Sequence, residues 1–125
     1  NYRVRSDSEH RAIAGLSMGG GQSLRIGLGH PEMFGWVVAF SSSTPTGEEL
    51  DALLAKPETL NQSLRLLWIG CGRKDFLFEA NQRFLAALEA RAIKHTAHIT
   101  DGAHEWRLWR YYLNEVLPLL FDAKK

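Results

Sequence analysis

The chain has a single cysteine, Cys71. An internal disulfide is therefore impossible, and no paired-cysteine spacing of the zinc-binding kind occurs. The pattern H-E-x-x-H is also missing, so no metal and no cofactor is expected. No stretch approaches the roughly 20 apolar residues of a spanning helix, which argues against a membrane partner. Charge of one sign is lacking. The 15 Lys and Arg nearly cancel the 14 Asp and Glu, and the net charge of +1 gives no electrostatic reason to expect nucleic acid. Lys124 and Lys125 read as an ordinary solvated end. The opening residues, Asn1 to Arg11, are polar and charged and do not read as a signal peptide. With one cysteine, the redox compartment stays open. Cys71 itself lies in an apolar run and reads as a buried, inert thiol.

What remains is a chain of 125 residues, read as one domain over 1–125 with a modest core. Arg11 to Gly15 is a short apolar run suited to a buried parallel strand. A glycine-rich helix follows from about Gly19 to Gly29, with Leu24 and Leu28 on its buried face. Its glycines imply close approach to the sheet, and Gly29-His30-Pro31 stops it. Trp36 to Phe40 is a second strand. Ser41 to Pro45 is a loop whose serines are better explained by loop chemistry than by a role near a site. Glu48 to Lys56 reads as a short helix and residues 57–63 as a polar connection. Arg65 to Gly70 is the clearest strand, and residues 72–76 form a loop. Glu79 to Arg91 is an amphipathic helix with Phe84, Leu85, Leu88 and Ala92 on one stripe. Thr96 to Thr100 is a shorter, more polar strand, as an edge strand should be. The last helix starts near Glu105, with Trp109, Tyr112, Leu113, Val116, Leu117 and Leu120 at helical spacing, and Pro118 should kink or end it. Trp36, Trp68 and Trp109 read as packing. Strand and helix alternate throughout, which implies an α/β fold: about four parallel strands with helices on the faces.

Gly15-Leu16-Ser17-Met18-Gly19 fits G-x-S-x-G, a strand-to-helix turn that exposes a nucleophilic serine. Working groups in parallel sheets gather beyond the carboxyl ends of strands. Ser17, Asp75 and His104 each follow a predicted strand, in the order Ser…Asp…His used by α/β-hydrolases. A serine hydroxyl needs a base to take its proton, and a neutral imidazole can do so near pH 7. A carboxylate on the other ring nitrogen fixes the tautomer. The Met18 backbone N–H, at the positive end of the new helix, is a candidate oxyanion donor. Asp101 and Glu79 are rival acids, one placed to cap the last helix and the other to favour a helix dipole. His10, His30, His95 and His98 sit in poorer places. Phe76 and Trp106 either line a substrate pocket or pack in the core.

The run Ala12-Ile13-Ala14-Gly15-Leu16-Ser17-Met18-Gly19-Gly20 and the later His30-Pro31-Glu32-Met33-Phe34 resemble the esterase D-type group of α/β-hydrolases. Leu67 to Gly72, Asp75-Phe76-Leu77 and Gly102-Ala103-His104-Glu105-Trp106 continue the resemblance, which is greatest to family 1 carbohydrate esterases. It implies Ser17 as nucleophile, Asp75 as acid and His104 as base, acting on carboxylic esters such as feruloyl or acetyl groups of plant xylan. A thioesterase or S-formylglutathione hydrolase is the enzymatic alternative. A half-domain without a complete site is the other. A cell-wall substrate would imply secretion. Such enzymes carry much of their domain before the serine motif, whereas 16 residues precede Ser17 here. The resemblance therefore implies only the C-terminal half of the fold. A second polypeptide, or a second copy of the chain, is expected to cover the Arg11–Gly15 edge and supply the second oxyanion N–H.

Overall fold

The computed structural model describes residues 2–122. Lys124 and Lys125 lie outside them. Four strands, β1 (Ala12–Leu16), β2 (Trp36–Phe40), β3 (Leu66–Gly72) and β4 (Thr96–Thr100), form one sheet in the order β1-β2-β3-β4, with every pairing parallel. The connections carry α1 (Met18–Gly29), α2 (Gly47–Leu53), α3 (Pro57–Ser63) and α4 (Phe78–Ala90), and α5 (Trp106–Val116) follows β4. The α/β class read from the alternation is the one observed.

Side-chain alternation along the strands divides the core in two. Val37, Ala39, Leu67 and Ile69 face Leu24 and Leu28 of α1, Leu60 of α3, and Phe84, Leu85 and Leu88 of α4. Trp36, Val38, Phe40, Leu66 and Trp68 face Leu108, Trp109, Tyr112 and Val116 of α5. The central strands are buried along their whole length, which is why they read as unbroken apolar runs. Each fully buried leucine on these faces stabilises the fold by about 1.5–3 kcal/mol. No helix among the described residues is long and apolar enough to cross a membrane.

Three local readings need correction. Residues 57–63, expected as a connection, form α3. Pro57 opens it, where its missing N–H costs nothing, and Leu60 is its one buried residue. Ala92 is not on the buried stripe of α4. It lies past the helix end with φ 53, and the turn brings Ile93 into the core instead. Leu113 and Leu117 fall on the exposed side, so the buried stripe is narrower than the spacing suggested. The helix α5 ends at Val116, and a 3-10 turn containing Pro118 follows.

Candidate active site

Ser17 joins β1 to α1 with φ 55 and ψ −121, outside the regions L-residues prefer. The turn is held from β2 and its loop. The Ser17 N–H donates to the Phe40 carbonyl at 2.9 Å, and the Ser43 N–H donates to the Ser17 carbonyl at 3.1 Å. A β-carbon on Gly15 would overlap the Gly19 carbonyl, so the first glycine of the motif is required by close approach. The second glycine differs: a β-carbon on Gly19 would meet nothing within 4 Å. Met18 is the first residue of α1, and its N–H therefore has no acceptor within the helix.

Asp75 and His104 stand on two loops that are fastened together. The Arg73 N–H donates to the Thr100 carbonyl at 2.8 Å, and the Lys74 N–H to the Gly102 carbonyl at 2.9 Å. A β-carbon on Gly72 would overlap that same Gly102 carbonyl. Asp75 is only 5% exposed. Its Oδ1 accepts the Leu77 N–H at 2.8 Å, and its Oδ2 lies 2.9 Å from His104 Nδ1. His104 Nε2 lies 2.9 Å from Ser17 Oγ. An ionised carboxylate only accepts, so Nδ1 carries the proton and Nε2 is left to accept from the serine hydroxyl. The structure thus brings Ser17, His104 and Asp75 into one hydrogen-bonded chain.

The rival residues stand elsewhere. Asp101 is paired with Arg73 at 3.0 Å, and Glu79 is exposed in the first turn of α4. His10 pairs with Asp7 and His30 with Glu32. His95 contacts the Ile93 carbonyl, and His98 stacks on Trp68. Phe76 and Trp106 are 77% and 66% exposed, which overturns the core reading of both. The Phe76 ring centroid is 4.7 Å from that of His104, and Trp106 packs edge-to-face with Trp109 at 5.2 Å. Cys71 is fully buried. Burial first, and the nearby Asp75 charge second, push its thiol up to about 12, so it stays protonated and unreactive. Among the described residues no group of three or more His, Cys, Asp or Glu is placed to hold a metal ion.

Two contributions were not foreseen. Ser41 and Ser42, read as loop chemistry, are buried. The buried Asn81 donates through Nδ2 to the Ser42 and Leu77 carbonyls, both at 2.9 Å, and so ties the β2 loop to the loop bearing Asp75. The signal was present: Asn81 lies four residues before Leu85, on the apolar stripe of α4, where a polar side chain calls for partners. Trp109 was read as packing. It is buried, but it also meets the His104 ring edge-to-face at 4.9 Å.

Comparison with known proteins adds the family context. The family model described as "Putative esterase" matches residues 1–120. An endo-1,4-beta-xylanase/feruloyl esterase of Xylanibacter ruminicola is 33% identical over 122 residues, covering 97% of this chain and 16% of the relative. An acetyl esterase of Caldicellulosiruptor saccharolyticus is 25% identical, covering 90% of this chain and 54% of the relative. A solved ferulic acid esterase superposes with a TM-score of 0.75 at 29% identity, over 96% of this chain and 54% of that one. The chain thus spans about half the length of the second relative and of the solved esterase, and a smaller part of the first.

Proposed function

The chain belongs to the esterase family, and from that premise we propose that it carries the serine, histidine and aspartate of a serine carboxylic-ester hydrolase. The observation that supports this most directly is the unbroken chain of 2.9 Å contacts from Ser17 through His104 to Asp75. In this reading His104 Nε2 takes the Ser17 proton as Oγ attacks the ester carbonyl. Asp75 steadies the imidazolium that forms. The negative oxygen of the tetrahedral intermediate sits at the N-terminus of α1, where the Met18 N–H and the helix dipole stabilise it. His104 then returns the proton to the departing alcohol. Water, deprotonated by the same imidazole, releases the acid and restores Ser17.

The ester group proposed is a feruloyl or acetyl ester of plant xylan. Its support is the names of the relatives and the two exposed aromatic rings, Phe76 and Trp106, beside the His104–Trp109 pair. The proposal includes a second polypeptide segment or a second copy along β1. That strand pairs only with β2 among the described residues. Beside it runs a groove of about 210 Å³ lined by Ala14, Leu16, Trp106 and Leu113. An apolar edge of this kind is suited to pairing, and the incoming segment would bring the second oxyanion donor.

Hydrolysis of p-nitrophenyl acetate by the intact protein, compared with Ser17→Ala, tests the reading. The variant is expected to fall to background; equal rates would overturn it. Methyl ferulate, acetylated xylan and a glutathione thioester offered in parallel would then identify the acyl class, and preference for the thioester would replace the xylan assignment.

A further inference from the structure

Both ring nitrogens of His104 are taken up by Ser17 and Asp75. Two hydrogen bonds in the ring plane fix where an imidazole points, but they leave it free to rock about the line joining them. Something must hold its faces and edges. Phe76 on one side is exposed and is a poor wall. Trp109 is the firm one. It is 8% exposed, and its ring stands at 88° to the imidazole with centroids 4.9 Å apart. It rises from α5, five residues after His104.

The indole is itself locked. Trp109 Nε1–H donates to Ser41 Oγ at 3.0 Å, in a buried setting. Ser41 is fully buried at the carboxyl end of β2, with φ 47. Its own N–H donates to the Gly70 carbonyl at 2.8 Å. Serine gains nothing locally from a left-handed backbone, and such strain persists only where surrounding structure enforces it. Ser17 and Ser41 are two of the four described non-glycine residues with positive φ, and both stand at this site. The strained turn at Ser41 aims a hydroxyl at the indole.

We infer that Trp109, locked by Ser41, is a positioning residue that sets the plane of the His104 imidazole for proton transfer. This rests on the reading of His104 as the general base. The pair touches no reacting atom and acts through His104. A packing role alone would require the indole's volume but not its N–H. Trp109→Phe keeps a ring and loses the donor, while Ser41→Ala loses only the acceptor.

The test measures kcat and KM for p-nitrophenyl acetate in the intact protein for both variants and their double, alongside thermal unfolding and the ring-proton NMR resonances of His104. Misplacing a catalytic group slightly is costly, so each single variant should lower kcat about tenfold with KM within about twofold. If the two act through one hydrogen bond, the double variant should be no worse than the worse single, not about a hundredfold down. In Ser41→Ala the His104 resonances should shift while the indole remains, a change that needs no turnover to observe. The inference is overturned if kcat stays within about twofold in both singles, or if Ser41→Ala leaves the His104 resonances unmoved. Activity that survives Ser17→Ala would instead overturn the functional reading, and the NMR result would still decide whether Ser41 sets the ring.

Discussion

The two sides of the site are built differently. On the β3–β4 side the loops bearing Asp75 and His104 are closed on each other, backbone to backbone, with Gly72 pressed on the Gly102 carbonyl. On the β1 side Ser17 stands, among the described residues, at a sheet edge, and the space beside Gly19 is open. The sheet edges repeat the contrast. The outer strand β4 carries Thr96, His98 and Thr100, while β1 is Ala-Ile-Ala-Gly-Leu. A polar edge tolerates water; an apolar one is suited to being covered. Asp75 and His104 are therefore held in place by contacts within this chain, whereas Ser17 has a neighbouring strand on one side only among the described residues.

The largest effect expected is on the closed side. Asp75→Asn keeps the shape but favours the wrong histidine tautomer, and kcat should fall about 10⁴-fold with the fold intact. Steady-state kinetics with circular dichroism checks this, and a small loss would mean that Asp75 is not the partner His104 needs. Gly72→Ala should come next. The Gly102 carbonyl cannot step aside as a side chain can, so urea unfolding should show a loss of about 1–3 kcal/mol. Alkaline stability reports on the same side more gently. Burial pushes the Cys71 thiol and the Tyr112 phenol up to about 12. Unfolded, both lose protons nearer their ordinary values of 9.0 and 10.0. The folded state then binds more protons than the unfolded one, so stability is full below pH 9 and falls as pH rises toward 12. Cys71→Ala should flatten the start of that decline. The smallest effect belongs to the open side. Gly19→Ala meets no atom and gains helix propensity, so stability should rise by up to about 1 kcal/mol. A clear loss instead would show that another segment already fills the space, sharpening the contrast between the two sides.

Most of this organisation was legible in the sequence, for physical reasons that can be named. β2 and β3 are buried on both faces, so apolar runs reveal them directly. Ser17, Asp75 and His104 could be placed together because parallel strands deliver their carboxyl ends to one rim. The helix α3 escaped because one buried residue, Leu60, makes no periodicity. Leu113 and Leu117 misled because helical spacing shows a stripe's direction but not its width. The contact of Trp109 with His104 was hidden for another reason. A tryptophan on a buried stripe looks the same whether its neighbour is a leucine or a histidine, and only the loop geometry at 101–105 brings the imidazole to it. Asn81 is the residue whose signal, a polar side chain on an apolar stripe, was there to be read.

The most direct measurement of the central claim is to trap the reacting group. The intact protein would be treated with a fluorophosphonate probe and digested, and the labelled peptide sequenced by mass spectrometry. A serine made nucleophilic by His104 predicts one label, on Ser17, that is lost in His104→Ala while Ser41, Ser42 and Ser43 stay unlabelled. Labelling absent from Ser17, or undiminished at Ser17 in His104→Ala, would contradict it.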